Sequence, residues 1–400
     1  MARATSWGDG LAARSLVLPW MLGLRWARPQ LQLDDVPRMQ PTLRLAAKVA
    51  ADEFFFATEI LRGRVPLSGS EWRRGGEEIE AAVALFRRRG WLASPLDYHS
   101  GPPALKRTRQ RSVWKGAIRH EEVSFDSGYA PHPGEPGRAR WRSYTANRTA
   151  HARLLRHPGP QRPWVVCVPG YRMGHPLVDF TGFRARWLHE KLGLNVAIAV
   201  LPFHGPRRVG RRSGDGYLAG DFLDTVHAQA QAVWDLRRLV GWLRAQGAPS
   251  IAAYGLSLGG YTAALLAALE PDLDAVVAGI PASCFLGLAR SNAPAGVLRV
   301  AERMGFPFDA IERLLGVVSP LTMAPQVPHA RRFVFAGSAD RLAPPDQALA
   351  LWNHWQRPRI AWYAGSHVSF LVEPKVRRLL REALRPGPLS QPSAVDTRRN

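Results

Sequence analysis

Ser257, Asp340 and His367 stand in that order, each just beyond a short apolar run, and together they could make a nucleophile. A serine hydroxyl attacks poorly until an imidazole takes its proton. A carboxylate on the other ring nitrogen fixes the imidazole tautomer and stabilises its charged form. Ser257 lies in Gly255-Leu256-Ser257-Leu258-Gly259, between the apolar run Ile251–Leu256 and the apolar stretch Thr262–Leu269. Gly-x-Ser-x-Gly between a strand and a helix predicts a nucleophile elbow, the sharp turn that lifts a serine hydroxyl above the end of a sheet. Side chains at Gly255 and Gly259 would collide where strand and helix fold back, and Ser257 is expected in strained backbone. The competing reading is a glycine-rich turn that binds phosphate or only packs. Taken singly, Asp340 also reads as a turn residue or helix cap, and His367 is one of twelve histidines. Their order and shared position after strands favour the three-residue set.

The elements that must hold these residues follow from hydrophobic patterning. Strands are predicted at Trp164–Val168, Asn195–Leu201, Ile251–Leu256, Val276–Ile280, Arg332–Ala336 and Arg359–Tyr363. Helices are predicted between them at 180–192, 225–246, 346–355 and 370–384. Such alternation predicts an α/β fold with a doubly wound, mostly parallel sheet. In these sheets the site lies beyond the carboxyl ends of the strands. Before this block, Glu122–Phe125 and Arg140–Tyr144 read as two antiparallel strands, and 94–118 as loop. Residues 42–62 and 71–90 read as helices, the first with Phe54, Phe55, Phe56, Ile60 and Leu61 on one apolar side.

The domain reading is therefore an N-terminal helical extension (1–118), a main domain (119–385) with an insertion at about 282–330, and a Pro/Ser-rich tail (386–400) expected to be disordered. At 400 residues and 46% hydrophobic, the chain has ample core for this. Two cysteines, Cys167 and Cys284, are too few for a disulfide framework and have no metal-ligand spacing; the serine chemistry expected here implies no metal or organic cofactor. The net charge is +22, yet only five of the 54 basic residues are lysine, a bias that compositional drift explains as well as function does. Basic runs such as Arg87–Arg89 and Lys106–Arg111 are usually solvated faces. No nucleic-acid-binding pattern accompanies them, and no nucleic-acid partner is expected. The stretch Ser15–Leu24 is too short to span a bilayer. It has no small-residue cleavage site after it. A docking helix, or a peripheral membrane contact through Trp20 and Trp26, is expected in an otherwise cytoplasmic protein.

The motifs Gly255–Gly259, Gly337–Pro345, Gly365-Ser366-His367 and Val168-Pro169-Gly170-Tyr171 resemble those of the α/β-hydrolase-fold superfamily of serine esterases, lipases and peptidases, over roughly residues 120–385. The resemblance implies an oxyanion hole made by the backbone N–H groups of Leu258 and Tyr171, with Arg172 as the alternative to Tyr171. Pro169 stands where that superfamily often has histidine; the donors are backbone groups, so their role does not depend on it. Two such donors are worth about 3 kcal/mol of barrier each.

A second loop, Pro202-Phe203-His204-Gly205-Pro206-Arg207, resembles a poorly characterised branch of α/β-hydrolase-domain proteins. Arg172, Arg207, Arg208, Arg211 and Arg212 could rim the pocket for an anionic substrate, or pair with Asp215, Asp221 and Asp224 as part of the arginine excess. His204 could touch substrate or brace its loop. The insertion before Arg331 carries Phe285, Leu286, Leu298, Met304 and Phe306, and reads either as a helical cap over Ser257 or as ordinary core. The expected function is cleavage of a carboxylic ester or thioester, with a hydrophobic acyl group, through an acyl-enzyme on Ser257. The substrate would be a small-molecule or lipid ester. A non-catalytic scaffold of the same fold is the alternative, and charge-driven membrane or nucleic-acid binding a third.

Overall fold

A computed structural model describes residues 33–62, 69–115, 118–218, 221–292 and 307–385, with Arg299 and Arg303. Nine strands make one sheet: β1 (Arg109–Lys115), β2 (Ile118–Asp126), β3 (Thr149–Leu155), β4 (Trp164–Val168), β5 (Asn195–Val200), β6 (Ile251–Leu256), β7 (Ala275–Gly279), β8 (Arg332–Gly337) and β9 (Arg359–Tyr363). Their order is β1-β2-β3-β5-β4-β6-β7-β8-β9. The β1, β2, β3 and β5 pairings are antiparallel. From β5 through β9 every pairing is parallel. Strands β4 to β7 are buried at every residue, which is why they read as unbroken apolar runs. Alternate side chains feed two cores: Val166 and Val168 enter one, and Val165 and Cys167 the other.

The described helices are α1 (Leu43–Arg62), α2 (Gly69–Arg88), α3 (Arg138–Ser143), α4 (Pro176–Gly182), α5 (Phe222–Ala245), α6 (Leu258–Leu269), α7 (Phe285–Asn292), α8 (Phe308–Gly316), α9 (Pro345–His354) and α10 (Pro374–Ala383). Helices α5 and α6 cover one face of the sheet, and α4 and α10 the other. No helix among the described residues is long and apolar enough to cross a membrane. Among them no group of three or more His, Cys, Asp or Glu residues could hold a metal ion.

Several local expectations are corrected. The expected strand Arg140–Tyr144 is the short helix α3, which drives Trp141 into the core to donate to Gln231 at 3.0 Å. The partner of β2 is instead β3, and the sheet starts at Arg109, inside the expected loop. The expected helix 180–192 breaks after Gly182, where Arg184 takes φ 51°, and resumes as a π turn at Trp187–Lys191. The apolar side expected for α1 is only partly seen: Phe55 and Phe56 are half-buried. Phe54 is 73% exposed, whereas Asp52 and Glu53 are buried. The expected insertion contributes α7, whose Phe285 ring stacks on Tyr261 at 4.0 Å, and α8, which packs on α2 and α5. The expected docking segment around Trp20 and Trp26, and the C-terminal tail, lie outside the described residues.

Candidate functional site

Ser257 joins β6 to α6 with φ 56° and ψ −116°, a conformation an L-residue holds only under constraint. The constraint comes from the two glycines. A Cβ at Gly255 would stand 1.9 Å from the Gly259 carbonyl oxygen, and one at Gly259 would stand 1.8 Å from that of Val168. Strand, helix and the neighbouring strand β4 are therefore in backbone contact around a half-buried serine. The Ser257 N–H donates to the Gly279 carbonyl at 2.9 Å, which ties the elbow to β7.

Asp340 follows β8 and His367 follows β9, at the same edge of the sheet. His367 Nδ1 and Asp340 Oδ2 are 2.6 Å apart. The other oxygen of Asp340 accepts the N–H groups of Leu342 at 2.9 Å and Ala343 at 2.8 Å, so this residue also closes its own turn. The two loops are laced together: Ser338 N–H donates to Tyr363 and Ala339 N–H to Gly365, at 2.9 and 3.0 Å. Burial favours the neutral imidazole, but Asp340, and Asp52 beyond it, outweigh burial and hold the His367 pKa above the ordinary 6.5.

Leu258 is the first residue of α6, so its N–H has no acceptor within the helix. The loop after β4 lies against the elbow: a Cβ on Gly170 would come within 3.4 Å of the Ser257 Cβ. This loop turns at once, with Met173 N–H donating to Gly170 at 3.2 Å and Arg172 at φ 68°. The Gly170 N–H is taken by Met173 Sδ at 3.0 Å, leaving Tyr171 as the next backbone donor along the loop. The Arg172 guanidinium is held by Glu59 at 2.7 Å, Asp215 at 2.5 Å and the Ser213 carbonyl at 2.9 Å, and its Cζ lies 4.5 Å from the centre of the Tyr171 ring.

Of the expected substrate-binding residues, His204 packs edge-on against Tyr171 with ring centres 6.2 Å apart, while Arg207 and Arg208 are directed elsewhere. Arg207 is fully buried and donates to Asp235 at 2.8 Å and to the carbonyls of Val200 and Asn147 at 2.9 and 3.1 Å. A loop arginine can turn inward where the interior offers it a carboxylate, and Asp235 on α5 does so. Arg208 is exposed and, with Arg211 and His151, lines a cleft of about 440 Å³ whose walls include neither Ser257 nor His367. His204 is buried, with Nδ1 on the Pro202 carbonyl at 2.8 Å; burial pulls its pKa down to about 4, so it stays neutral and braces its loop.

Two residues of the site escaped the sequence reading. Asp52, from α1, accepts the backbone N–H groups of His367 at 2.9 Å and Arg341 at 3.1 Å. Glu59, two turns further along the same helix, holds Arg172 and Arg212. The sequence signal for Asp52 was slight, an acid two residues before three phenylalanines that were read as the helix's apolar side.

No family model matches the chain. Uncharacterized proteins from two strains of Mycobacterium tuberculosis are 42% and 41% identical over 363 residues, spanning 88% of this chain and 85% of theirs. Among solved structures, the acetyl xylan esterase of Paenibacillus sp. R4 superposes with a TM-score of 0.51 at 16% identity, over 74% of this chain and 99% of its own. Acetyl xylan esterase 1 of Thermoanaerobacterium sp. JW/SL YS485 gives 0.50 at 15% identity, over 74% and 93%. These likenesses carry the fold. The strand order, the elbow at the end of β6 and these superpositions agree: the chain has the α/β-hydrolase fold and belongs to the family of the uncharacterized Mycobacterium tuberculosis protein.

Proposed function

We propose that the chain is a serine hydrolase cleaving a carboxylic ester or thioester, with a hydrophobic acyl group, through an acyl-enzyme. The observation that carries this reading is a strained elbow serine at the sheet edge where a histidine is hydrogen-bonded to a buried aspartate. Ser257 Oγ attacks the carbonyl carbon while its proton passes to His367 Nε2. The carbonyl π electrons move onto oxygen, which the N–H groups of Leu258 and Tyr171 receive. Collapse of this intermediate expels the alcohol or thiol, which takes the proton from His367. Water, deprotonated by the same imidazole, then attacks the acyl carbon, and Ser257 Oγ leaves with the proton that His367 returns to it. Asp340 keeps Nδ1–H oriented and compensates the charge that forms on the ring.

A fluorophosphonate probe read by mass spectrometry tests this directly. Labelling at Ser257, abolished in Ser257→Ala, is expected, together with a loss of about 10⁴ in turnover of p-nitrophenyl esters in that variant. A wild-type protein that takes no label and turns over no ester of the panel would be a scaffold instead.

A further inference from the structure

Helix α1 reaches three loops of the proposed active site, those after β4, β8 and β9, from one face. Lys48, Asp52 and Glu59 fall at i, i+4 and i+11, three turns along one side of the helix. Lys48 Nζ donates to the Ala364 carbonyl at 3.0 Å, three residues before His367. Asp52 Oδ2 accepts His367 N–H and Arg341 N–H, and Asp52 Oδ1 lies 3.4 Å from Val368 N. Glu59 holds Arg172, beside Tyr171 on the proposed oxyanion loop. A carboxylate with no exposed surface, 289 and 315 residues away from the amides it binds, is costly unless those amides satisfy it.

We propose that Asp52 is a positioning residue for the hydrolysis, a second carboxylate that clamps the Asp340 loop to the His367 loop and biases the His367 imidazole by its charge. This rests on the serine-hydrolase reading. Bridging Arg341 N–H and His367 N–H fixes the separation of the two loops on which the Asp340–His367 hydrogen bond depends. A small misplacement there costs rate, not substrate affinity. The charges facing this cluster are Asp340 and Arg341 from the β8 loop, His367 and Tyr363 from the β9 side, and Glu53 on α1, which approaches Arg341 at 3.7 Å. The Lys48–Glu373 pair lies at its outer side. Burial and the nearby Asp340 push the Asp52 carboxyl up, and the His367 charge with the two donated N–H groups opposes them.

Asp52→Asn keeps the shape and removes the charge. It should lower kcat for p-nitrophenyl acetate by roughly tenfold or more with KM nearly unchanged. The acid limb of its kcat/KM profile should move to lower pH, because His367 loses a neighbouring anion. Two measurements stand apart from hydrolysis. NMR titration of the His367 ring should show a lower pKa in Asp52→Asn than in wild type. In the unmutated protein the His367 and Arg341 amides should exchange slowly with solvent. Fast exchange of both amides, or an unchanged His367 titration in a folded variant, overturns the proposal. A wild type that takes no fluorophosphonate overturns the hydrolase reading alone, and the two NMR results still decide the role of Asp52 at this histidine.

Discussion

His367 Nδ1 and Asp340 Oδ2 meet at 2.6 Å with the aspartate 3% and the histidine 8% exposed, so the carboxylate acts on the imidazole with little water between or around them. Opposite charge in a poorly solvated place stabilises the protonated ring. A general base must be neutral to act, so activity should rise as pH passes the His367 pKa, which these carboxylates hold above 6.5. The measurement is kcat/KM against pH on a neutral p-nitrophenyl ester, and its acid half-maximum should lie above 6.5. Asp340→Asn should shift that midpoint down and lower turnover steeply. A wild-type midpoint at or below 6.5 would mean that the carboxylates do not govern the base.

The elbow gives a prediction about stability. At Gly259 a methyl group would have to occupy space 1.8 Å from the Val168 carbonyl oxygen and 2.6 Å from that of Pro169, both backbone atoms of a central strand and its loop. Neither can withdraw without breaking the register of β4 with β6. Gly259→Ala should therefore cost more than about 3 kcal/mol, or prevent folding, as overpacking against backbone does. Gly241, near the C-terminal end of α5, has nothing within 4 Å of the same construction. Gly241→Ala should stabilise by about 0.5–1 kcal/mol through helix propensity. Urea midpoints compare the two. Equal stability for Gly259→Ala and wild type would rule out this elbow geometry.

What the sequence made legible, and what it hid, divides along the source of the constraint. The buried strands β4, β6 and β7 read correctly because every residue in them is apolar, so no choice of face or register blurs the pattern. Asp340 and His367 were legible because a parallel sheet sends each strand end to one edge. Arg140–Tyr144 was misread because Trp141 between two arginines imitates strand alternation, while the helix there lasts only six residues. On helix α1 the sequence put Phe54 on the buried side, whereas Phe54 is exposed and Asp52 is buried. Three adjacent phenylalanines outweigh one aspartate on any hydrophobic scale. Asp52 turns inward instead to accept the backbone N–H groups of Arg341 and His367, 289 and 315 residues away. Long-range polar demand of this kind leaves no local periodicity.

Arg207 carries the last prediction. Its guanidinium bridges the Asp235 carboxylate of α5 and the backbone carbonyls that end β5 and precede β3. Ser127 Oγ holds the second Asp235 oxygen at 2.6 Å, and Gln231 continues the network to Asn147. Removing one partner of such a pair leaves a buried charge without compensation, which costs about 3–5 kcal/mol. Arg207→Ala should therefore lower the melting temperature strongly, while KM for anionic and for neutral esters of equal chain length changes to the same small degree. Arg208→Ala, on an exposed neighbour, should stay within about 0.5 kcal/mol of wild type. Replacing both partners, Arg207→Met with Asp235→Leu, should recover part of the loss, because it is the orphaned charge and not the missing attraction that destabilises. A selective rise in KM for anionic esters in Arg207→Ala, with stability unchanged, would return this arginine to the substrate and sink its structural role.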